Sequence, residues 1–245
     1  MTTNISNIII NHFEGKTQFT SNELREFLSE IYPDAEKKTI SWRIYDLKSK
    51  GIITHIGRNI YSLNNKPKFT PEISAYLKRI HNKIAKELPL IKLCVWDSRW
   101  LNELMLHQTL KFYLVVETEK EATESVFNCL TDFSKKVYLN PDKEIYERYI
   151  SNFDEVIIVK GLISEAPQIQ RENIQTASLE KLLVDCFIDV SLFSAQQNEI
   201  NFIYQSAFEK YSINMSKLKR YARRRGRIKE LENYLSQLPL ANKEL

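Results

Sequence analysis

The chain has 245 residues, 43% of them hydrophobic and 27% charged, with a formal net charge of +4. That is enough length for two domains and an ordinary globular composition. The 5 glycines and 7 prolines exclude a low-complexity or collagen-like chain. No apolar run reaches bilayer-spanning length, and MTTNISNIII lacks the basic region and long apolar core of a signal peptide. Cys94, Cys129 and Cys186 are odd in number and far apart, which reads as reduced core thiols of a cytoplasmic protein. With only 4 scattered histidines, no metal-ligand spacing appears, and neither a metal nor a cofactor is expected.

In chain order, Thr3–Phe13 reads as a helix with Ile5, Ile8 and Ile9 inward, ended by Gly15. Asn22–Ile31 is a second helix, with Thr20 or Ser21 as its N-cap. Lys37–Lys50 is a third, its apolar stripe formed by Ile40, Ile44 and Leu47. Gly51 follows where a helix end needs positive φ. Two β-prone runs, Ile52–Ile56 and Ile60–Leu63, are joined by Gly57-Arg58-Asn59, where Gly and Asn suit a tight hairpin turn. Three helices and a hairpin in residues 1–66 predict a winged helix-turn-helix. The outward face of its third helix carries Lys38, Ser41, Trp42 and Tyr45, flanked by Thr39 and Arg43. These side chains are suited to phosphates, sugars and base edges, so the expected partner is double-stranded DNA. Arg58 and Asn59 at the hairpin tip are expected to reach the minor groove or a phosphate.

Asn64–Thr70 reads as a polar linker, followed by a helix from Pro71 to about Leu88. Residues 67–245 then alternate: strands at Ile91–Trp96, Phe112–Val116, Val137–Leu139 and Glu155–Val159, with helices at Arg99–Leu106, Ala122–Lys135 and Lys143–Ile150 between them. That predicts a mixed α/β domain with an at least partly parallel sheet. From Ser178 the chain reads as helices: Ser178–Phe187, Asn198–Tyr211, Ser216–Arg225 and Ile228–Leu238.

Nucleotide-binding glycine loops and nucleophile elbows are absent from the sequence, and no enzymatic activity is expected. One acidic group offers a rival reading. Asp97 closes one expected strand, and Glu117 and Glu119 close another, with Lys120 adjacent. If the strand ends converged, these groups would resemble a Mg²⁺-dependent nuclease site, although Glu119 stands where such sites place lysine. A second rival is a winged helix that contacts another protein. The segment Met215–Lys229 holds Lys217, Arg220, Arg223, Arg224 and Arg227 among its cations and no acid. It is expected to form a secondary basic surface that attracts phosphate. TASLEKLLVD (176–185) reads as a packed helix start capped by Ser178, with no chemistry of its own.

DLKSKGIITHIGRNIYSL (46–63) resembles the winged helix of AbiEi-type antitoxins, the transcriptional regulators of type IV, abortive-infection toxin–antitoxin systems. Ser178–Asp185 is similar to the P-E-(K/R)-x-L-V-D element of that group, with Ala177 where proline is frequent. Tyr211–Asn214, Tyr221–Arg225, Val95–Asn102 and Val115–Glu117 extend the resemblance over most of the chain. The resemblance implies an autorepressor that binds repeats upstream of its own operon. It also implies an antitoxin that opposes a nucleotidyltransferase-like toxin without binding it stably.

Overall fold

The computed structural model describes residues 5–16, 18–64 and 66–238. The fold is mixed α/β, as the alternating pattern requires. Its first part runs α1 (Ile5–Phe13), β1 (Phe19–Thr20), α2 (Ser21–Ile31), α3 (Lys37–Ser49), β2 (Ile53–Gly57) and β3 (Ile60–Leu63). The expected start of α1 at Thr3 lies outside the described residues. Thr20 caps α2: its hydroxyl accepts the Glu23 N–H at 3.2 Å, and the Glu23 carboxylate accepts the Thr20 N–H at 2.7 Å. Ile40, Ile44 and Leu47 of α3 close a core with Ile9, Phe13, Leu24 and Leu28. β2 and β3 form the expected hairpin, but with a bulge between His55 and Gly57. Of the turn residues, Asn59 adopts positive φ and Gly57 does not. Phe19-Thr20 was legible only as the entry to α2. It also pairs with Tyr61 and Ile60, so the sheet order is β1-β3-β2.

The second part contains α4 (Ala75–Glu87), β4 (Leu93–Asp97), β5 (Phe112–Thr118), α5 (Thr123–Thr131), β6 (Val137–Leu139), α6 (Lys143–Arg148) and β7 (Glu155–Gly161). There follow β8 (Gln168–Arg171), β9 (Ile174–Ala177), α7 (Leu179–Ile188), α8 (Ile200–Lys210), α9 (Met215–Arg224) and α10 (Ile228–Gln237). α4 begins later than Pro71 because Ser74 caps it, accepting the Leu77 N–H at 3.1 Å. The segment expected as an α-helix at Arg99–Leu106 is a 3₁₀ helix, Ser98–Leu104. The β8–β9 hairpin was not anticipated. Glu172 and Asn173 both take positive φ at its turn, which a glycine-based reading overlooks.

The central sheet has the order β4-β5-β7-β6, with β5, β7 and β6 parallel and β4 antiparallel to β5. Alternate residues serve opposite faces, as the two-residue strand period dictates. Val95, Leu114, Val116, Ile157 and Val159 pack under α4 and α5. Trp96, Val115, Val156 and Ile158 pack under α7 to α10. The sheet therefore has helices on both faces.

The polar stretch expected as a linker is irregular but firmly held; Asn65 within it lies outside the described residues. The Lys66 ammonium donates to the Phe208 carbonyl at 2.6 Å, the Ser212 N–H donates to the Pro67 carbonyl at 3.0 Å, and Phe69 is buried. The Ser212 hydroxyl donates to the Gly51 carbonyl at 3.1 Å. Gly51 has φ +66°, and a Cβ there would lie 2.8 Å from Ser212 Oγ and 3.1 Å from the Ile213 carbonyl oxygen. Thus the residue that ends α3 also seats it against the α8–α9 connection. Gly51→Ala is expected to destabilise the chain by about 1–2 kcal/mol from backbone strain alone, measured as a lower urea midpoint at unchanged slope.

Candidate functional site

α3 turns its apolar stripe inward, and this leaves Lys38, Thr39, Ser41, Trp42 and Tyr45 exposed, as expected. Trp42 is 60% and Tyr45 64% exposed, high values for aromatic side chains. The Ser41 hydroxyl donates to the Lys37 carbonyl at 3.0 Å and accepts from Arg25 Nη1 at 3.1 Å. Arg25 on α2 therefore joins this face, a neighbour that spacing within α3 cannot reveal. Arg43 departs from the expected placement. Its guanidinium lies 3.7 Å from the centre of the Tyr32 ring, and its Nε is buried without a hydrogen-bond partner among the described residues. Arg58 and Asn59 are exposed at the hairpin tip, and the Asn59 carbonyl accepts the Ser21 N–H at 2.8 Å.

The acidic trio does not converge. β4 and β5 are neighbours, but antiparallel, so Asp97 pairs with Leu114 while Glu117 pairs with Cys94. Asp97 instead caps the following 3₁₀ helix, accepting the Arg99 N–H at 2.8 Å. Burial pushes its carboxyl up, against the opposing pull of Arg99. Glu119 accepts the Lys92 N–H at 2.9 Å. Among the described residues, no group of three His, Cys, Asp or Glu is placed to hold a metal ion.

Glu117 belongs to a different assembly. Lys181 is wholly buried, with its ammonium 2.9 Å from Glu117 Oε2 and 2.5 Å from Asp185 Oδ2. Trp96 Nε1 donates to Glu117 at 3.0 Å, and the Tyr221 hydroxyl donates to Asp185 at 2.9 Å. Arg225 bonds Asp185 and also Asp189, the latter at 2.5 Å, and Asp189 meets Lys160 at 2.9 Å. Three cations thus face three carboxylates across β5, β7, α7 and the end of α9. Burial pulls the Lys181 ammonium down, but Asp185 and Glu117 outweigh it and hold its pKa well above the ordinary value. Burial likewise raises Asp189, and Lys160 and Arg225 reverse the sign, leaving its carboxyl below the usual range.

The sequence carried a signal for this network that the single apolar stripe obscured. Every residue from Leu179 to Cys186 is buried, so Lys181 and Asp185, one turn apart, had to be buried with them. The expected Ser178 cap is also different: its hydroxyl donates to Glu180 at 2.5 Å rather than capping α7. Glu180 in turn accepts the Asn214 N–H at 3.0 Å, which ties the start of α7 to the start of α9.

Lys217, Arg220, Arg223, Arg224 and Arg227 are exposed on or just after α9, while Leu218, Tyr221 and Ala222 are buried as expected. The acids missing from the local sequence arrive from elsewhere. Arg220 lies 3.6 Å from Glu165, Arg227 2.9 Å from Glu230 and Lys219 3.6 Å from Glu232. Arg224 Nε donates to the Ser164 hydroxyl at 2.5 Å. The three cysteines are free and buried. No described helix is long and apolar enough to cross a membrane.

These features are those of a mixed α/β protein with a solvent-exposed polar and aromatic helix face and an internal ion network. The chain belongs to the family described as Family of unknown function (DUF6577), whose model matches residues 39–240. Comparison with curated proteins finds no match. The family match begins inside α3 and spans the whole ion network.

Lys181→Ala leaves two buried carboxylates without their shared cation and is expected to cost about 3–5 kcal/mol, measured by urea unfolding. Asp189→Asn should weaken the fold at neutral pH. The pairing of Asp189 is fully present above its unfolded pKa of about 3.9 and is lost as pH falls through its lower folded value. The difference between wild type and Asp189→Asn in chemical denaturation should therefore shrink across that acid window.

Proposed function

We propose that residues 1–66 form a winged helix-turn-helix domain that binds double-stranded DNA, and that residues 67–245 form a second domain supporting it. The observation that carries this reading is the α3 face. A helix presenting Lys38, Thr39, Ser41, Trp42 and Tyr45 to solvent is followed at once by a hairpin with Arg58 at its tip. The element order of three helices with a small antiparallel sheet supports the same reading. α3 enters the major groove, and Arg58 and Asn59 grip the adjacent backbone or minor groove. With Arg43 stacked on Tyr32, base discrimination falls to Ser41, Trp42 and Tyr45, and Arg25, held at this face by its bond to Ser41, adds a phosphate contact through its remaining N–H groups. The cations around α9 supply a general attraction for the backbone.

The resemblance of residues 46–63 and 178–185 to AbiEi-type antitoxins supports a biological role for this DNA binding. The chain is a cytoplasmic autorepressor whose second domain opposes a nucleotidyltransferase-like toxin without stable contact. Nothing in the placement of Asp97, Glu117 and Glu119 favours the nuclease reading.

Fluorescence anisotropy of the full chain against its own upstream duplex and a scrambled duplex, over a salt series, tests the proposal. The expected result is tighter binding to its own duplex with a steep salt dependence. Arg58→Ala should weaken binding to both duplexes and reduce the log–log salt slope by about one. Trp42→Ala should lower the preference for its own duplex, at an expected cost of about 1–3 kcal/mol. Equal affinity for both duplexes overturns sequence-specific repression, and no binding at low salt overturns DNA binding altogether.

A further inference from the structure

α3 and α9 face each other across a cleft of about 640 Å³. α3 contributes Tyr45 and Lys48, Lys50 follows at its end, and α9 contributes Lys217, Lys219, Arg220 and Arg223. Two acids also line the cleft, and both are engaged: Asp46 pairs with Lys50 at 2.5 Å and Glu232 lies 3.6 Å from Lys219. Lys48, Lys217 and Arg223 have no carboxylate partner among the described residues. Three unpaired cations drawn around one concavity repel one another, and a multiply charged anion removes that repulsion. A single carboxylate offers too few oxygens for cations on two helices, whereas linked phosphoryl groups carry an acceptor oxygen for each. The volume falls within the range of small-molecule sites, roughly 300–1,000 Å³. Tyr45, on the same cleft, offers an exposed ring on which a base can stack.

We propose that this cleft binds a small, multiply phosphorylated ligand of the nucleoside polyphosphate class. Its phosphates contact Lys48, Lys217 and Arg223, and its base lies against Tyr45. The seat of Gly51 on Ser212 sets the spacing of the two helices, so the cleft is built into the fold rather than assembled by the ligand. Duplex phosphates share this chemistry, but a concavity closed on two sides by helices favours a compact anion. The site shares Tyr45, Lys217 and Arg223 with the duplex reading and goes beyond it in the ligand it takes; Trp42 and Arg58 do not line it.

The test is anisotropy of ribose-labelled fluorescent ATP with the full chain at fixed ionic strength, with inorganic triphosphate as competitor. The expected result is saturable binding that triphosphate displaces. Lys217→Ala and Arg223→Ala should each weaken it by about tenfold or more, the loss of one charge-assisted contact. These side chains are exposed, and thermal unfolding of each variant checks that the fold is intact. Tyr45→Ala should weaken labelled ATP and leave triphosphate affinity unchanged. Absence of saturable binding, or binding indifferent to Lys217→Ala and Arg223→Ala, overturns the proposal. So does a result in which neither small anion binds while duplex affinity falls in those two variants, which assigns the cations to nucleic-acid backbone. The DNA-binding reading is judged separately by Trp42→Ala and Arg58→Ala, so the two fail independently.

Discussion

An ammonium with no access to water is a severe constraint on a protein interior, and Lys181 imposes it here. A lone buried cation is tolerated only where carboxylates and hydrogen-bond partners replace its hydration. Glu117 and Asp185 do so from β5 and from the next turn of α7. The same carboxylates also accept from Trp96 on β4, from Tyr221 on α9 and from Arg225 just beyond it. The sheet, α7 and the end of α9 are thereby held in one relative arrangement. Apolar packing, being non-directional, would fix that arrangement less sharply.

This interior chemistry reaches the surface through α9. With Tyr221 and Arg225 bonded to Asp185, the rotation of α9 is set, and Leu218 and Ala222 face the core. The opposite face must then carry Lys217, Arg220, Arg223 and Arg224 outward. At its start, α9 is tied to α7 through Asn214 and Glu180. One and two residues before this tie, Ile213 and Ser212 of the α8–α9 connection receive the end of α3 at Gly51, where an added Cβ would lie 2.8 Å from Ser212 Oγ. The exposed face of α3 and the basic face of α9 are therefore positioned by the same connection. Whatever charge one presents, the other presents at a fixed distance, which is the physical basis for treating their shared cleft as a site.

Much of the fold was legible in the sequence because local rules govern it. The α3 stripe of Ile40, Ile44 and Leu47, the Gly51 stop and the hairpin that follows are set by helical period, positive φ and turn chemistry acting over a few residues. The strands β5, β6 and β7 announced themselves by apolar runs, and the outward placement of Lys38, Trp42 and Tyr45 followed from the same period that buries Ile40 and Ile44. What the sequence could not decide were matters of partnership between distant segments. β1 is a strand only because β3 lies beside it. The direction of β4 separates Asp97 from Glu117, and no strand carries its neighbour's direction in its own residues. The same limit applied to charge: Arg225, in the basic Met215–Lys229 segment, is an internal partner of Asp185 and Asp189, and Arg43, expected beside the DNA-facing residues of α3, stacks on Tyr32. By itself, then, the sequence determined the elements and their faces, since backbone geometry and side-chain period are local. Only the tertiary structure decided which charges meet, because electrostatic pairing depends on distances that the chain sets only when it folds.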